Sequence, residues 1–381
     1  MLSNRNKYKT CLEISENALL HNFNEFQKIV GKKVMVAPVV KANAYGHGLK
    51  EVVLILKNKT DIFAVDNIDE ALAIRKISKK VKVLILGYTT RDNIKLAIKQ
   101  NISFVVYNLD MLKYICSLKL TKKAIIHIKV ETGLNRQGIH GSDLINVLNF
   151  IKKHSDKILL EGIYTHFVNI EDTKDPSFAK TQLIRFKNSL EVVKEGGLNP
   201  ILIHTAASEA SLLYKESHFS MIRLGIGLYG LWPSQETKNY FRSKGKNITL
   251  KPVLTWKSII VQVKLVSKGE SVGYGRTWIA DRASRIAIIP IGYSDGFDRK
   301  LSNIGRVIVC GSYAPVIGRV AMNMIMVDVN NIKNIKEGSE VIIIGRKGKL
   351  EITAEELAEK IGTINYEVVS RISPFLPRII I

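Results

Sequence analysis

Val34-Met35-Val36-Ala37-Pro38-Val39-Val40-Lys41-Ala42-Asn43-Ala44-Tyr45-Gly46-His47-Gly48-Leu49 is the stretch from which the architecture can be read. An apolar run, Val34 to Val40, reads as a buried strand that delivers one lysine to its end, and small residues with two glycines follow at once. A solvated lysine belongs on a polar helix face. At a strand's end a lysine can be partly desolvated and its pKa lowered, as an amine nucleophile requires. Alone, the pattern also fits a lysine that merely caps a strand.

Working outward, similar Val- and Ile-rich runs recur at 61–65, 82–87, 102–106, 124–130, 159–165, 200–204 and 221–226. Stretches with helical periodicity lie between them, at Asn67–Ile77, Leu109–Leu118, Asp143–Lys153 and Ser177–Glu195. Eight strands alternating with helices predict a closed (β/α)8 barrel of the TIM type. After about Trp232 the texture changes. From Leu250 onward strands follow closely, separated by turn signals such as Lys268-Gly269, Asp295-Gly296 and Gly311, which predicts a mainly antiparallel β domain with one helix near Ala354–Lys360. The expected division is a barrel at 12–246 and a β domain at 247–381, with residues 1–11 added as an extra strand through Tyr8 and Thr10.

Composition narrows the function classes. The 381 residues carry 57 Lys and Arg against 34 Asp and Glu, an excess that raises nucleic acid or an anionic surface as partners. The basic pairs Lys79-Lys80, Lys122-Lys123, Lys152-Lys153 and Arg346-Lys347 lie in separate segments without interleaved aromatics, so the expectation is solvated lysines, no nucleic acid and no membrane partner. No apolar stretch is long enough to span a bilayer, and Met1–Lys7 lacks the apolar core of a signal peptide. Cys11, Cys116 and Cys310 are far apart, which fits free thiols in a cytoplasmic protein and no metal site.

In a βα barrel, chemistry collects at the C-terminal ends of the strands. There the sequence places Lys41 with Tyr45, then Lys129-Val130-Glu131-Thr132-Gly133-Leu134-Asn135-Arg136, then Tyr164-Thr165-His166. His204 to Ser208 follow, and finally Arg223-Leu224-Gly225-Ile226-Gly227. His204 reads as a core or supporting histidine. An amine beside donors able to hold a phosphate is the pattern of a pyridoxal 5'-phosphate site, with Ser208 and the Gly225-Ile226-Gly227 turn in the usual phosphate position. Arg223 stays charged, so a ring nitrogen facing it would remain an unprotonated acceptor. That weakens the electron sink and points away from transaminases.

VVKANAYGHG, KVETGLNRQG, LEGIYTHF, MIRLGIGLYG, VGYGRTW, IPIGYSDGF and GRVAMNMIMVDV, in this order, resemble the bacterial alanine racemases from about Lys9 to Arg378. The resemblance implies a fold type III pyridoxal phosphate enzyme that interconverts L- and D-alanine for peptidoglycan. It implies a homodimer in which each active site is completed by the partner's C-terminal domain. By position, Lys41 would be the cofactor-linking lysine and one base, and Tyr274 of the other subunit the opposite base, helped by His166. Arg136 would hold the cofactor's phenolic oxygen and the substrate carboxylate. Tyr45, Ser208, Gly225 and Ile226 would bind phosphate, and Arg223 would face the ring nitrogen. Met322 would meet the substrate carboxylate, Tyr293, Arg299 and Arg319 would line the entrance, and Lys129 matches a lysine that some members carry as a carbamate.

Departures are Ala207 for a common asparagine, Asn323 for an aspartate, Ala321 for a cysteine and Pro374 where some members place a tyrosine. They bear on substrate range. A racemase accepting serine or lysine stays open, as does a fold type III decarboxylase, though decarboxylases normally set an acidic group against the ring nitrogen. A non-catalytic pyridoxal phosphate carrier would leave the Tyr274 domain without a purpose.

Overall fold

A computed structural model describes residues 8–170, 172, 174–245 and 247–381. The limits expected at residues 1 and 246 therefore lie outside the described residues. The chain divides into two compact units, one of residues 18–42 and 52–251, the other of residues 8–17, 43–51 and 252–381.

In the first unit eight parallel strands close a barrel: Met35–Pro38, Ile62–Val65, Lys82–Ile85, Ser103–Val106, Ala124–Lys129, Ile158–Tyr164, Leu202–His204 and Met221–Leu224. The six from Ile62–Val65 to Leu202–His204 pair in sequence order, and the first strand pairs with the last, Met35 opposite Met221. Two bridges close the ring. Val40 N donates to Ala64 O at 2.8 Å, and Arg223 N donates to Ala206 O at 2.9 Å. Each strand covers the core of a predicted one.

Ala37, Ile62, Leu84, Val105, Tyr164, Leu202 and Met221 fill the interior, so the barrel is a packed core and not a pore. The outer helices start where the sequence supplies caps. Asn67 Oδ1 accepts from Glu70 N at 3.0 Å ahead of Ile68–Ile77, and Asn108 Oδ1 accepts from Met111 N at 2.9 Å ahead of Leu109–Ser117. Helix Ser177–Glu195 buries Ala179, Gln182, Leu183, Phe186 and Val193, the three-and-four spacing of one helical face.

The second unit is built on a mainly antiparallel ten-stranded sheet. Thr10–Ile14 joins it as expected but runs beyond residue 11. It lies antiparallel to Leu254–Ile259 and parallel to Arg378–Ile380. The expected helix is Ala354–Ile361, capped by Thr353 Oγ1 on Glu356 N at 3.1 Å. A second helix, Asn365–Ser370, corrects the one-helix expectation. Its six residues are too few to register as a periodic pattern.

Candidate active site

Strand alternation decides which side chains reach the C-terminal rim of the barrel. Met221 faces the interior core, so Arg223, two residues on, points inward one level higher, and His204 stands in the same relation to Leu202. Arg223 is 4% exposed. Its Nη1 donates to His204 Nδ1 at 2.7 Å and His204 O at 3.1 Å. Its Nη2 donates to Thr165 O, Thr205 O and His166 Nδ1 at 3.1, 3.0 and 3.1 Å. Carbonyl dipoles and neutral imidazoles thus hold the charge in place.

Because a guanidinium only donates, it fixes the tautomers beyond it. His204 Nδ1 accepts, so its Nε2 carries the hydrogen and donates to His127 Nδ1 at 2.9 Å. His127 Nε2 in turn donates to Glu161 Oε2 at 3.2 Å, where Ser103 Oγ also donates at 2.7 Å, and Lys82 Nζ pairs with Oε1 at 2.7 Å. The carboxylate lies two imidazoles away from the arginine. These donors hold the Glu161 carboxyl at a pKa of about 2 despite burial, which acts the other way. Burial pushes the pKa of both His127 and His204 down. Gly162 makes room for this chain, since a Cβ there would lie 2.3 Å from His127 Nδ1.

His127 and Glu161 were missed as functional residues in the sequence, and Lys82 and Ser103 with them. The available signals were a lone histidine inside the apolar strand Ala124–Lys129 and a carboxylate inside the apolar run ending in Tyr164.

Lys41, Lys129, Arg136, His166 and Arg223 come within electrostatic reach of one another. Burial, then the charges of Arg136 and Arg223, brings the Lys129 amine to a pKa of about 8 at 3% exposure. Burial and the same cations hold His166 well below its ordinary pKa, hence neutral. Its Nδ1 accepts from Arg223, so its Nε2 carries the hydrogen. Ser208 begins helix Ser208–Leu213, and its Oγ accepts from Gly225 N at 3.0 Å and Gly227 N at 3.2 Å, which reserves its own O–H for donation. Ile226 opens the adjoining 3-10 turn. A hydroxyl, backbone N–H groups, a fixed guanidinium and a half-buried lysine amine form the donor set that a phosphorylated pyridine aldehyde requires.

Lys41–Tyr45 is a helical turn of the wrong hand. Ala42, Asn43, Ala44 and Tyr45 have φ between +52° and +55°, a conformation costing roughly 1–2 kcal/mol per residue for non-glycines. Within the second unit, Asn43 Oδ1 accepts from Leu49 N at 2.8 Å, and the Arg378 guanidinium donates to Gly46 O at 2.9 and 3.1 Å. Tyr45 packs against Tyr366 there, with ring centres 6.2 Å apart. No propensity signal in Ala-Asn-Ala-Tyr announces this handedness.

The second unit also gathers Tyr274, Tyr293, Arg319 and Met322 on neighbouring turns. Gly273 (φ 75°) and Gly275 (φ 69°) flank Tyr274, and a Cβ on Gly275 would stand 3.1 Å from Arg319 Nε. Tyr274 is 69% exposed. Tyr293 N donates to Ala321 O at 3.1 Å, and Ser294 N and Oγ donate to Met322 O at 3.0 and 2.8 Å. Asn323 Nδ2 donates to Ser294 Oγ at 2.7 Å, giving that departure a structural use. Arg299 sits on the next turn, tied in through Ser302 Oγ, which accepts from Val320 N at 3.0 Å.

Residues 14–233 match the family described as alanine racemase, N-terminal domain, and residues 253–380 match alanine racemase, C-terminal domain. The chain belongs to the alanine racemase family. As a member it is a pyridoxal phosphate-dependent isomerase. It is 37% identical to an alanine racemase of Leptospira interrogans, covering 100% of this chain and 97% of the relative. It is 38% identical to alanine racemase 2 of Caldanaerobacter subterraneus, over 98% and 95%. The alanine racemase of Bacillus anthracis with bound L-Ala-P superposes with a TM-score of 0.91 at 32% identity, covering 98% of this chain and 95% of that one. That of Clostridium difficile in complex with cycloserine gives 0.89 at 32%, over 98% and 96%.

Proposed function

We propose that this chain interconverts L- and D-alanine by a two-base route, as a homodimer in the cytoplasm, and supplies D-alanine for peptidoglycan. Bound pyridoxal phosphate supplies the electron withdrawal that acidifies the substrate's Cα–H. The residues do the rest. Ser208, Gly225 and Ile226, with Tyr45, would bind the phosphate. Arg223 would hold the ring nitrogen as an acceptor, and Arg136 and the Met322 N–H would hold the substrate carboxylate.

Inversion needs a proton removed from one face of Cα and another delivered to the opposite face. The Lys41 amine serves one face, and the Tyr274 phenol of a second copy serves the other. Free tyrosine has a pKa near 10, so the phenolate needs a donor. His166 Nε2–H, fixed by Arg223 on Nδ1, is suited to that task. In this reading the barrel at 12–246 carries the cofactor, and 247–381 with 1–11 completes the partner's site. Tyr293, Arg299 and Arg319 line its entrance. A carbamate on Lys129 would set an anion against Arg136, and its amine pKa of about 8 gives a larger share of the neutral form that reacts with carbon dioxide than an ordinary lysine has.

The observation that carries the reading is Arg223, held by carbonyls and imidazoles and linked through two histidines to the Glu161 carboxylate. That arrangement opposes the acidic ring-nitrogen partner of a decarboxylase. The bound L-Ala-P of the Bacillus anthracis relative supports alanine as substrate. Purified protein incubated with L-alanine, and in parallel with L-serine and L-lysine, should yield D-alanine fastest by chiral chromatography. With Tyr274→Phe, deuterium washout should persist from one enantiomer only. Absence of D-alanine overturns the activity, and equal loss of washout from both enantiomers overturns the two-base route.

A further inference from the structure

The charge excess, scattered along the sequence, is sorted by the barrel. The eight connections that lead from a helix into the next strand (31–34, 57–61, 78–81, 100–102, 118–123, 154–157, 196–201 and 214–220) lie at the strands' N-terminal ends. They carry eleven lysines, no arginine and three carboxylates, Asp61, Asp156 and Glu216. The seven strand-to-helix connections at the opposite, catalytic rim carry, among the described residues, two cations, Arg136 and Lys174, and four carboxylates, and with Lys41, Lys129 and Arg223 at the strand ends the two signs stand near balance there. One end of the barrel is therefore strongly positive and the other is not.

Favourable interaction with helix dipoles explains lysines in last helical turns, such as Lys76, Lys99 and Lys153. Ten of the eleven lie beyond the helices, and Lys215 opens a 3-10 turn. The pairs Lys32-Lys33, Lys79-Lys80 and Lys122-Lys123 are exposed, and none of the six is ion-paired among the described residues. Like charges crowded on one face repel each other unless a polyanion offsets them.

We propose that this N-terminal end of the barrel docks on an anionic lipid bilayer. The connections hold no tryptophan and no arginine, and their two aromatics, Tyr214 and Phe219, are half-buried, Phe219 against Phe186, so they offer neither an open stacking platform for bases nor a fork for reading guanine. Lysine is the point charge suited to lipid headgroups. Ile201, 71% exposed on the same end, provides an apolar contact for the headgroup region. No helix among the described residues is long and apolar enough to cross a membrane, so attachment would be peripheral. A like-charged face also opposes pairing with a second copy of itself. The placement leaves the catalytic rim turned away from the lipid.

The test is co-sedimentation of the holoenzyme with vesicles of phosphatidylglycerol mixed into phosphatidylcholine, against vesicles of phosphatidylcholine alone. Binding should require phosphatidylglycerol and weaken as salt rises above about 0.1 M. Changing Lys32, Lys33, Lys79, Lys80, Lys122 and Lys123 to Gln should lower partitioning about fivefold per charge, more than a hundredfold in all, with racemase activity unchanged. The variant Lys264→Gln/Lys268→Gln/Lys333→Gln/Lys336→Gln in the other unit should bind vesicles nearly as the unaltered enzyme does. Failure of the unaltered enzyme to sediment with phosphatidylglycerol overturns the proposal. Equal losses in both variants overturn the assigned face. Displacement from vesicles by duplex DNA of matched charge, at lower concentration than the lipid, assigns the face to nucleic acid instead.

Discussion

Replacing Glu161 by Gln tests the buried chain that holds Arg223. The carboxylate accepts from Lys82, Ser103 and His127, and these donors lower its pKa from 4.5 to about 2. A depression of about 2.5 units corresponds to ~3 kcal/mol favouring the ionised over the neutral carboxyl in the folded state. Glutamine resembles the neutral form. It keeps one accepting oxygen, and its NH2 cannot accept from the donors on the other side, which are Lys82 on one oxygen and His127 with Ser103 on the other.

Glu161→Gln should therefore lower unfolding stability by about 3 kcal/mol at pH 7. The sign of the pH dependence follows from the depressed pKa. The stabilisation is complete above the unfolded value of 4.5 and is lost as pH falls through about 2. The difference between the two proteins should hold steady from pH 7 to 5 and fall to less than half by about pH 3. Urea unfolding followed by circular dichroism at each pH gives the difference directly. Lys82→Met is the control: its ammonium is 49% exposed, so its share should be no more than about 1 kcal/mol. Nitrogen NMR of His127 and His204 supplies a second readout, with Nε2 protonated in both. A difference below about 0.5 kcal/mol, or one that ignores pH, would refute the tautomer chain.

Gly162→Ala drives a Cβ to 2.3 Å from His127 Nδ1 and 2.8 Å from Leu202 O; a loss of about 1–3 kcal/mol or more in urea unfolding is expected, and near-native stability would show that the approach is not tight. Lys129, with a pKa of about 8, should take up carbon dioxide as its amine becomes neutral. A carbamate resonance from labelled bicarbonate should grow as pH rises through about 8 and vanish in Lys129→Gln, and a signal independent of pH would exclude this site. Lys41→Ala should abolish borohydride fixation of the cofactor to the chain, while a retained reducible band would place the link elsewhere.

The sequence displayed what depends on local repetition and local chemistry. Apolar runs such as Val34–Val40, spaced by capped helices beginning after Asn67 and Asn108, were enough for eight strands and a closed barrel. Lys268-Gly269, Asp295-Gly296 and Gly311 read as turns, and all three glycines have positive φ. Lys41, Arg136, His166, Ser208 and Arg223 were legible because strand ends in a parallel barrel must share a rim.

What remained hidden depends on partners distant in the chain. The left-handed turn after Lys41 is held by contacts such as Arg378 on Gly46, more than three hundred residues away, and no propensity of its own residues favours it. His127 and Glu161 read as ordinary strand residues until the closed ring set them against His204 and Lys82. By itself, then, the order of residues determined the strand count, the two-part layout and which polar side chains stand at strand ends, because periodicity and side-chain chemistry are written locally. Tertiary structure alone decided the tautomers beneath Arg223, the hand of the turn and the gathering of scattered lysines at one end, because each depends on which distant groups the closed barrel makes neighbours.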